Sequence, residues 1–198
     1  KVMSAADFET PQDRKRCFFV AVRSDIMDKA GLNFMTLESE IYPEAVTPKH
    51  IGVKEAIEDC INDPEQEKEL FDYVQNGFQK KWIELLEFNP KKHRKPSDPD
   101  FIEINPKRSM FNMIRPAPHL PCPTLTQRGQ QMSVSGVFHY AKNRKFTIPE
   151  LKRLMGLPED FKLEGKFDKQ AERIGRMVAP LMMKNLASNI YEKVIKRT

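Results

Sequence analysis

The sequence RKFTIPELKRLMGLPEDFKLEGKFDKQAERIGRMV, residues 144–178, carries the strongest structural signals in the chain. Thr147 and Glu150 have the spacing of a capping box, which satisfies the first backbone N–H groups of a helix. The apolar residues that follow recur at helical spacing: Leu151, Leu154 and Met155. Gly156 and Pro158 then provide the usual end of a helix. The pattern by itself predicts a short helix with one buried apolar face.

The residue identities in this stretch carry more information than the pattern does. Residues 144–161 read R-K-x-T-x-x-E-x-x-R-L-M-G-x-P-x-x-F, which closely resembles motif IX of the DNA cytosine-5 methyltransferases. Residues 170–180, QAERIGRMVAP, resemble motif X of the same family. Two motifs in the family's order and at family-like spacing form a specific signal, whereas RLMG alone would be weak.

A third resemblance lies near the start of the chain, in the polar sequence ETPQDRKR of residues 9–16. Gln12, Arg14 and Arg16 form a Q-x-R-x-R pattern that resembles motif VIII of this family. Basic loops are common, so the pattern gains its weight from lying upstream of the other two motifs. The resemblance implies that Arg16 donates to the O2 edge of a flipped cytosine and that Arg14 helps to hold the base or a nearby phosphate. Gln12 would shape the loop, and these three are the candidate catalytic residues.

The resemblance also implies a reaction. A cysteine thiolate adds to C6 of a cytosine, and C5 then takes the methyl group of S-adenosylmethionine. The base must be flipped out because its reacting atoms are unreachable inside the stack. The family's Gly-rich cofactor loop, Pro-Cys nucleophile block and Glu-Asn-Val block have no counterpart in these 198 residues. Cys122 follows a proline, but it lies downstream of the motif VIII stretch and is rejected as the nucleophile.

The expected function is that of the C-terminal portion of a DNA cytosine-5 methyltransferase, inactive as this fragment alone. Its expected partners are double-stranded DNA and a missing N-terminal catalytic half, either covalently joined or a separate subunit. That half would bind most of the S-adenosylmethionine, and this chain would contribute Gly175, Arg176 and Val178. Arg176 departs from the family, which usually has Asn at this position. One alternative is a non-catalytic DNA-binding module on the same scaffold, and another is a structural or interaction protein.

Contacts with DNA are expected from two polar stretches. Residues 123–126, PTLT, resemble the Thr-Leu element of the family's target recognition region, and polar loops of this kind can read base edges. The candidate residues in and around it are Thr124, Leu125, Thr126, Arg128, Gln130 and Gln131. Residues 89–109, rich in Pro and Lys, are predicted to form a loop or linker. Within them, Lys91, Lys92 and Arg94 are candidate phosphate contacts, although a disordered solvated loop would have the same composition.

The net charge of +5 is unevenly distributed. Residues 79–145 carry 13 Lys and Arg against 5 Asp and Glu, whereas residues 1–78 carry 9 against 16. A basic middle suits a polyanionic partner, but a solvated surface of uneven charge gives the same count. The 3 cysteines and 4 histidines lack metal-ligand spacing, and no apolar run is long enough to cross a bilayer. These observations predict a cytoplasmic protein with no metal. The resemblance implies a nucleoid-associated protein of a bacterium or phage, of the restriction–modification kind.

The predicted fold class is α+β. Residues 2–8 and 17–23 are predicted strands, and the second is nearly continuous in apolar residues, as in a strand buried on both faces. Helices are predicted over three stretches: residues 53–61, residues 65–88 (one helix, or two broken near Gly77) and residues 179–196. Residues 110–143 are predicted to form short strands and turns.

The resemblance implies a division of the chain into functional parts. Residues 1–62 and 171–198 would supply the C-terminal helix and the last strands of a Rossmann-like, S-adenosylmethionine-dependent methyltransferase sheet. Residues 63–145 would form a small target recognition domain, and residues 146–170 a hinge that carries motif IX.

Overall fold

The structure, a computed structural model, describes residues 1–77, 80–86, 89–104, 113–133 and 135–198, with the side chain of residue 104 outside the description. The helices are α1 (Ser24–Lys29), α2 (Leu37–Ile41), α3 (Val53–Ile57), α4 (Pro64–Asn76), α5 (Lys80–Leu85), α6 (Pro99–Ile104), α7 (Ile148–Met155), α8 (Phe167–Arg176) and α9 (Pro180–Lys193). Two 3-10 helices cover Ala5–Phe8 and Ile195–Arg197. The strands are β1 (Val2–Ser4), β2 (Gln12–Asp13), β3 (Lys15–Cys17), β4 (Met113–Ile114), β5 (Cys122–Pro123) and β6 (Gly136–Val137).

The strands pair in three two-stranded sheets within the described residues. β1 is antiparallel to β3, with Val2 opposite Cys17. β2 runs parallel to β5, with Gln12 opposite Cys122, and β4 runs parallel to β6. The β2–β5 pair brings the Q-x-R-x-R stretch beside the Thr-Leu element, more than a hundred residues later in the chain.

Helix α7 forms as its sequence predicts. The Thr147 hydroxyl accepts from the backbone N–H of Glu150 at 3.3 Å, and the Glu150 carboxylate accepts from the backbone N–H of Thr147 at 2.9 Å. Gly156 ends the helix in the left-handed region, at φ 72°. The predicted capping box and glycine end are therefore both confirmed.

The largest apolar core surrounds α7. It joins α7 to the start of the chain, to α3 and to the last two long helices through buried residues that include Phe8, Val53, Leu125, Leu151, Leu154, Ile174 and Met182. A second core lies wholly within residues 74–138: Val74, Ile83, Leu86, Phe101, Met113 and Phe138. A third is built from Met27, Ala30, Leu32, Ile41 and Val194. The second core is what residues 63–145 would need to form a unit of their own, and the domain division stays a prediction.

The predicted strand over residues 17–23 is wrong. Only Cys17 belongs to a strand, β3, and the side chain of Phe19 is 93% exposed. The apolar run suits a strand with neighbours on both faces. Phe18 still exchanges backbone hydrogen bonds with Lys1, at 2.8 and 2.9 Å. Within the described residues no ladder continues through residues 19–23, so the run has the composition of a buried strand without most of its partners. The predicted strand over residues 2–8 is half right, since it ends at Ser4 and continues as a 3-10 helix.

Most of the remaining predictions agree with the structure. The helix predicted over residues 53–61 is shorter and ends at Ile57, and the C-terminal helix runs from Pro180 to Lys193. The two-helix alternative is confirmed near Gly77, with residues 78, 79, 87 and 88 outside the description. The short strands and turns predicted over residues 110–143 are confirmed where the structure describes them.

The loop predicted over residues 89–109 is wrong in part, because it contains α6. Phe101 gives this short helix one apolar anchor in the second core, and the Asp98 carbonyl accepts from the backbone N–H groups of Phe101 and Ile102. Residues 105–109 lie outside the description. None of the helices that the structure describes is long and apolar enough to cross a membrane.

Candidate nucleic-acid interface

Two side chains of the Q-x-R-x-R stretch hold the backbone of Leu125. The Gln12 Oε1 accepts from the Leu125 N–H at 3.1 Å, and the Arg14 Nη1 donates to the Leu125 carbonyl at 2.7 Å. Both side chains are buried, at 0% and 1% exposed. Every polar backbone group of Leu125 is thereby satisfied by this stretch, so the Thr-Leu element is fixed at its base.

The same two side chains extend this connection to the C-terminal motifs. The Gln12 Nε2 donates to the Leu154 carbonyl near the end of α7 at 3.1 Å. The Arg14 Nη2 donates to the Gly175 carbonyl in α8 at 2.9 Å. Burial, with a smaller effect from the positive charge of Arg16, lowers the pKa of Arg14 to about 10. Buried hydrogen bonds of Gln12 and Arg14 therefore link all three motif-like stretches to one another and to the backbone of Leu125.

Arg16 is placed differently from Arg14. It is half-buried, and within the described residues its guanidinium makes one local hydrogen bond, from Nη1 to the Lys15 carbonyl at 2.7 Å. Most of its five N–H donors are thus available to another molecule. Of the two arginines, Arg16 can reach a ligand, whereas the terminal nitrogens of Arg14 are occupied by protein carbonyls.

Residues 124–137, which include Leu125, are here called loop 124–137. The structure describes all of them except residue 134. Thr124 donates from Oγ1 to the Asp13 carbonyl at 2.7 Å, and the Thr126 hydroxyl accepts from the Gly129 N–H at 3.1 Å. Arg128 is exposed and Gln131 is half-buried. Gln130 is only 1% exposed, and neither of its side-chain polar atoms has a partner in the described part of the chain.

These placements separate the candidate base-reading residues. Arg128 is presented to solvent, and Gln131 is partly accessible. Leu125 belongs to the core, and Gln130 is covered by the protein, so neither can meet a base edge in this conformation. Thr124 and Thr126 make intramolecular hydrogen bonds that shape the loop.

The basic residues of the predicted linker also fall into two groups. Arg94 is 8% exposed, with its guanidinium 3.1 Å from the Asp98 carboxylate and 2.5 Å from that of Asp100. Lys91 and Lys92 are exposed, and the Lys92 ammonium lies 3.7 Å from Asp98. The two lysines can meet phosphates, whereas Arg94 is part of a local ion-pair network.

The proposed cofactor residues are spread over one end of α8. Gly175 is buried, and a Cβ there would lie 2.6 Å from the Thr126 carbonyl oxygen, so its open side faces the protein backbone. The Arg176 guanidinium is exposed and lies 3.3 Å from the Glu172 carboxylate one turn earlier. Val178 is 42% exposed. Arg176 and Val178 are accessible to a ligand, whereas Gly175 is covered by the protein.

A buried ion pair near the start of α7 was not predicted from the sequence. Arg144 and Glu150 form two hydrogen bonds of 2.8 Å, with both side chains 2% exposed, and Arg144 also donates to Glu67 of α4. Burial alone would raise the pKa of Glu150, but the Arg144 guanidinium holds that pKa below its usual value. The sequence offers only a weak signal for this pair: two opposite charges, Arg144 and Glu150, six residues apart at the start of a predicted helix.

Two further types of site can be assessed directly. Cys122 is fully buried, and burial raises the pKa of its thiol, which disfavours the thiolate that a nucleophile requires. In the part of the chain that the structure describes, no group of three or more His, Cys, Asp and Glu side chains is arranged to hold a metal ion.

A sequence profile of the family described as C-5 cytosine-specific DNA methylase matches residues 1–192. The chain therefore belongs to the C-5 cytosine-specific DNA methylases, a family whose methyl donor is S-adenosylmethionine. The membership predicted from the three motif-like stretches is confirmed.

Relatives of known name agree with this assignment. The type II methyltransferase M.DdeI of Desulfomicrobium norvegicum is 24% identical over an alignment of 229 residues, gaps included. The alignment covers 96% of this chain and 53% of that protein. The type II methyltransferase M1.HphI of Haemophilus parahaemolyticus is 43% identical over 60 residues, 30% of this chain and 15% of its own length. The chain thus spans about half the length of M.DdeI.

A solved structure has a similar fold. Its protein is assigned as a DNA modification methyltransferase encoded within a prophage (E. coli), and it superposes with a TM-score of 0.61 at 17% identity. The match covers 99% of this chain and 60% of that one. This chain therefore shares its α+β architecture with that structure.

Proposed function

We propose that this chain supplies the DNA-recognition surface and part of the active site of a DNA cytosine-5 methyltransferase that acts on duplex DNA. The observation that carries the proposal is the placement of Gln12 and Arg14, whose side chains tie the Q-x-R-x-R stretch to the base of loop 124–137. In the chain, Arg16 follows β2 and Arg128 follows β5, so the two accessible cations extend from strands that are paired with each other.

Arg16 is the residue that we propose to act on the flipped base. Its guanidinium is planar and permanently charged, and it can present two parallel N–H donors to a carbonyl such as the O2 of cytosine. Negative charge grows on this part of the ring when a nucleophile adds, so donors at O2 bind the transition state more strongly than the ground state. Arg14 and Gln12 would act indirectly, by holding the segment that carries Arg16 in register.

DNA binding would use the basic residues that remain accessible. Lys91 and Lys92 would contact phosphates, and Arg128 with Gln131 would read base edges. The second apolar core supports residues 63–145 as the recognition domain, with residues 146–170 as the hinge. Residues 1–62 and 171–198 would belong to the catalytic domain.

The apolar run at residues 17–23 supports the proposed link to a Rossmann-like sheet. Phe18, Val20 and Val22 are partly buried, and Cys17, Phe19 and Ala21 alternate with them on the exposed side. In a Rossmann-like sheet, a helix from a further part of the catalytic domain would cover that side. S-adenosylmethionine would then be held mainly by that further part, with Arg176 and Val178 at its margin.

Replacement of Arg16 by Ala tests the proposal in the full-length gene product. We expect a fall in turnover of about a hundredfold or more, with little change in affinity for a non-reactive duplex. Lys15→Ala is the matched control, since Lys15 is an exposed neighbour in the same strand. Equal losses of turnover and DNA affinity in the Arg16 variant would reduce this residue to a binding contact.

A second experiment tests the catalytic inventory of the chain itself. The 198 residues alone should transfer no labelled methyl group from S-adenosylmethionine to mixed-sequence duplex DNA. Transfer that survives Cys122→Ser would mean that another nucleophile is present, and transfer abolished by that change would identify Cys122 as the nucleophile.

A further inference from the structure

Lys145 is a buried lysine that the proposed catalytic machinery does not use, and burial lowers the pKa of its side-chain ammonium to about 7. Its side chain is 0% exposed, and its Nζ donates to the Gly129 carbonyl at 2.8 Å and also to the Ser135 carbonyl. The same ammonium lies 4.0 Å from the centroid of the Phe138 ring, within cation–π range. Each of its contacts is therefore with loop 124–137 or with the residue that follows it.

The loop closes on itself at the point where Lys145 binds it. A Cβ on Gly136 would lie 1.9 Å from the Gly129 carbonyl oxygen, and Gly136 has φ 93°, which disfavours any other residue. The two ends of the segment from Gly129 to Ser135 thus lie close together, and this segment is here called the ring. The Lys145 ammonium donates to the carbonyls of both end residues. An ammonium has three donors and can make both bonds at once, which an apolar side chain cannot do.

The ring carries the accessible candidates for base reading. Gln131 lies inside it, and exposed Arg128 directly precedes it. The Met132 N–H, also inside the ring, donates to the Asp168 carboxylate of α8 at 2.7 Å. The orientation of Arg128 and Gln131 therefore depends on how firmly the ring is closed.

We propose that Lys145 is a positioning residue for DNA sequence recognition, whose buried ammonium closes the ring from Gly129 to Ser135 and so fixes the direction of Arg128 and Gln131. This inference rests on the proposed function of loop 124–137. Because Lys145 is fully buried, it cannot touch a phosphate. Its loss should weaken discrimination between DNA sequences and leave the salt dependence of binding unchanged.

The test uses the full-length gene product with Lys145→Met, which keeps the length of the side chain and removes the donors. Lys142→Met is the matched control: it removes the same charge three residues earlier from a side chain that is 54% exposed. Affinities are measured by fluorescence anisotropy, at two salt concentrations, for the preferred duplex and for duplexes with single base-pair changes. Hydrogen exchange of residues 128–136 is followed in parallel.

For Lys145→Met, we expect the preference for the best duplex to fall by about tenfold, as for one lost base-edge contact, with the salt slope of wild type. Exchange in the ring should become faster, and Lys142→Met should keep wild-type preference and exchange. An unchanged preference in Lys145→Met would overturn the inference, as would a loss of affinity equal for all duplexes.

If Lys145→Met does not fold, Lys145→Gln keeps an amide group with two N–H donors on a shorter side chain, and it should show the same loss of preference to a smaller extent. Full preference in that variant would contradict the inference. If wild-type protein binds no duplex, or binds all duplexes equally, the proposed function itself fails. That result is visible before any variant is made.

Discussion

Gly175 in α8 meets Thr126 backbone to backbone: a Cβ on Gly175 would lie 2.6 Å from the Thr126 carbonyl oxygen and 2.7 Å from the Gln127 nitrogen. The carbonyl of Gly175 is also the one that accepts from Arg14 at 2.9 Å. The backbone of α8, which carries the motif X stretch, thus packs so closely against the base of loop 124–137 that no Cβ fits between them. A glycine that the family resemblance associates with the cofactor here has a clear packing function.

Gly175→Ala should destabilise the protein. In a helix interior, alanine is favoured over glycine by up to about 1 kcal/mol, so without a clash this change would stabilise the fold. The clash involves backbone atoms that cannot rotate away, and we expect a net loss of about 1–3 kcal/mol in the free energy of unfolding. Urea denaturation measures it. Gly31→Ala is the comparison without a clash, because a Cβ there meets nothing within 4 Å, although its φ of 67° adds a strain that Gly175 does not have. A more stable Gly175→Ala would show that the loop yields easily.

Replacement of Arg14 should lower the stability of the protein, whereas replacement of Arg16 should leave the stability nearly unchanged. Removing the buried Arg14 side chain leaves the carbonyls of Leu125 and Gly175 without donors, and each such group costs about 1–3 kcal/mol. We expect Arg14→Ala to lower the unfolding free energy by a few kcal/mol, as seen in chemical denaturation. Arg16→Ala should change it by less than about 0.5 kcal/mol, as surface substitutions usually do. The reverse order of the two effects would refute the structural assignment of Arg14.

The basic residues of the predicted linker should differ in their effect on the salt dependence of DNA binding. Each phosphate contact that is lost reduces the slope of log affinity against log salt by roughly one unit. We expect that reduction for Lys91→Ala and for Lys92→Ala. For Arg94→Ala we expect a loss of stability instead, because its guanidinium is paired with Asp98 and Asp100. Titration of a duplex at several salt concentrations distinguishes them, and three unchanged slopes would mean that this stretch does not face DNA.

His139 should make stability depend on pH. Burial, opposed by the nearby Glu150 carboxylate, lowers the pKa of His139 to about 3, and its Nδ1 accepts from the N–H groups of Ala141 and Lys142 at 3.0 Å. The unfolded state, with an ordinary histidine pKa near 6.5, therefore binds more protons than the folded state between these values. Stability should be complete above about pH 6.5 and should fall as pH is lowered towards 3.

The measurement is the free energy of unfolding between pH 7.5 and pH 5 in wild type and His139→Asn. The asparagine keeps an acceptor oxygen near the position of Nδ1 but does not titrate, so the pH dependence should become shallower. His119→Asn, at an exposed histidine, is the control. A slope that is the same in wild type and His139→Asn would show that another group dominates acid unfolding.

The sequence predicts local features of this chain better than distant contacts. The capping box at Thr147 and the end of α7 at Gly156 are confirmed because both depend on residues within one turn. The partners of Gln12 and Arg14 could not be predicted, because they lie on loop and helix backbone far along the chain. Likewise, residues 17–23 have the composition of a strand buried on both sides, and only the fold shows that one side lies open.

The candidate site shows the same difference between residue type and environment. The Q-x-R-x-R pattern identifies three polar side chains but does not indicate that two are buried and one accessible. Gln130 and Arg94 likewise have the chemistry of DNA contacts, yet the structure covers both. Burial depends on contacts between distant parts of the chain, such as those of Gln12 with α7 and of Arg14 with α8, which are a tertiary property.

The contacts of Arg14 also constrain the order in which the protein can fold. Its two carbonyl partners lie 111 and 161 residues further along the chain. Contacts of such long separation form late, because chain closure must be complete before they contribute. On a ribosome, the residues around Arg14 are made before α8 and must wait for it to emerge before the guanidinium has both acceptors. A nascent chain that stops before Gly175 would therefore hold an unfinished interior, which is the kind of intermediate that chaperones retain and proteases remove.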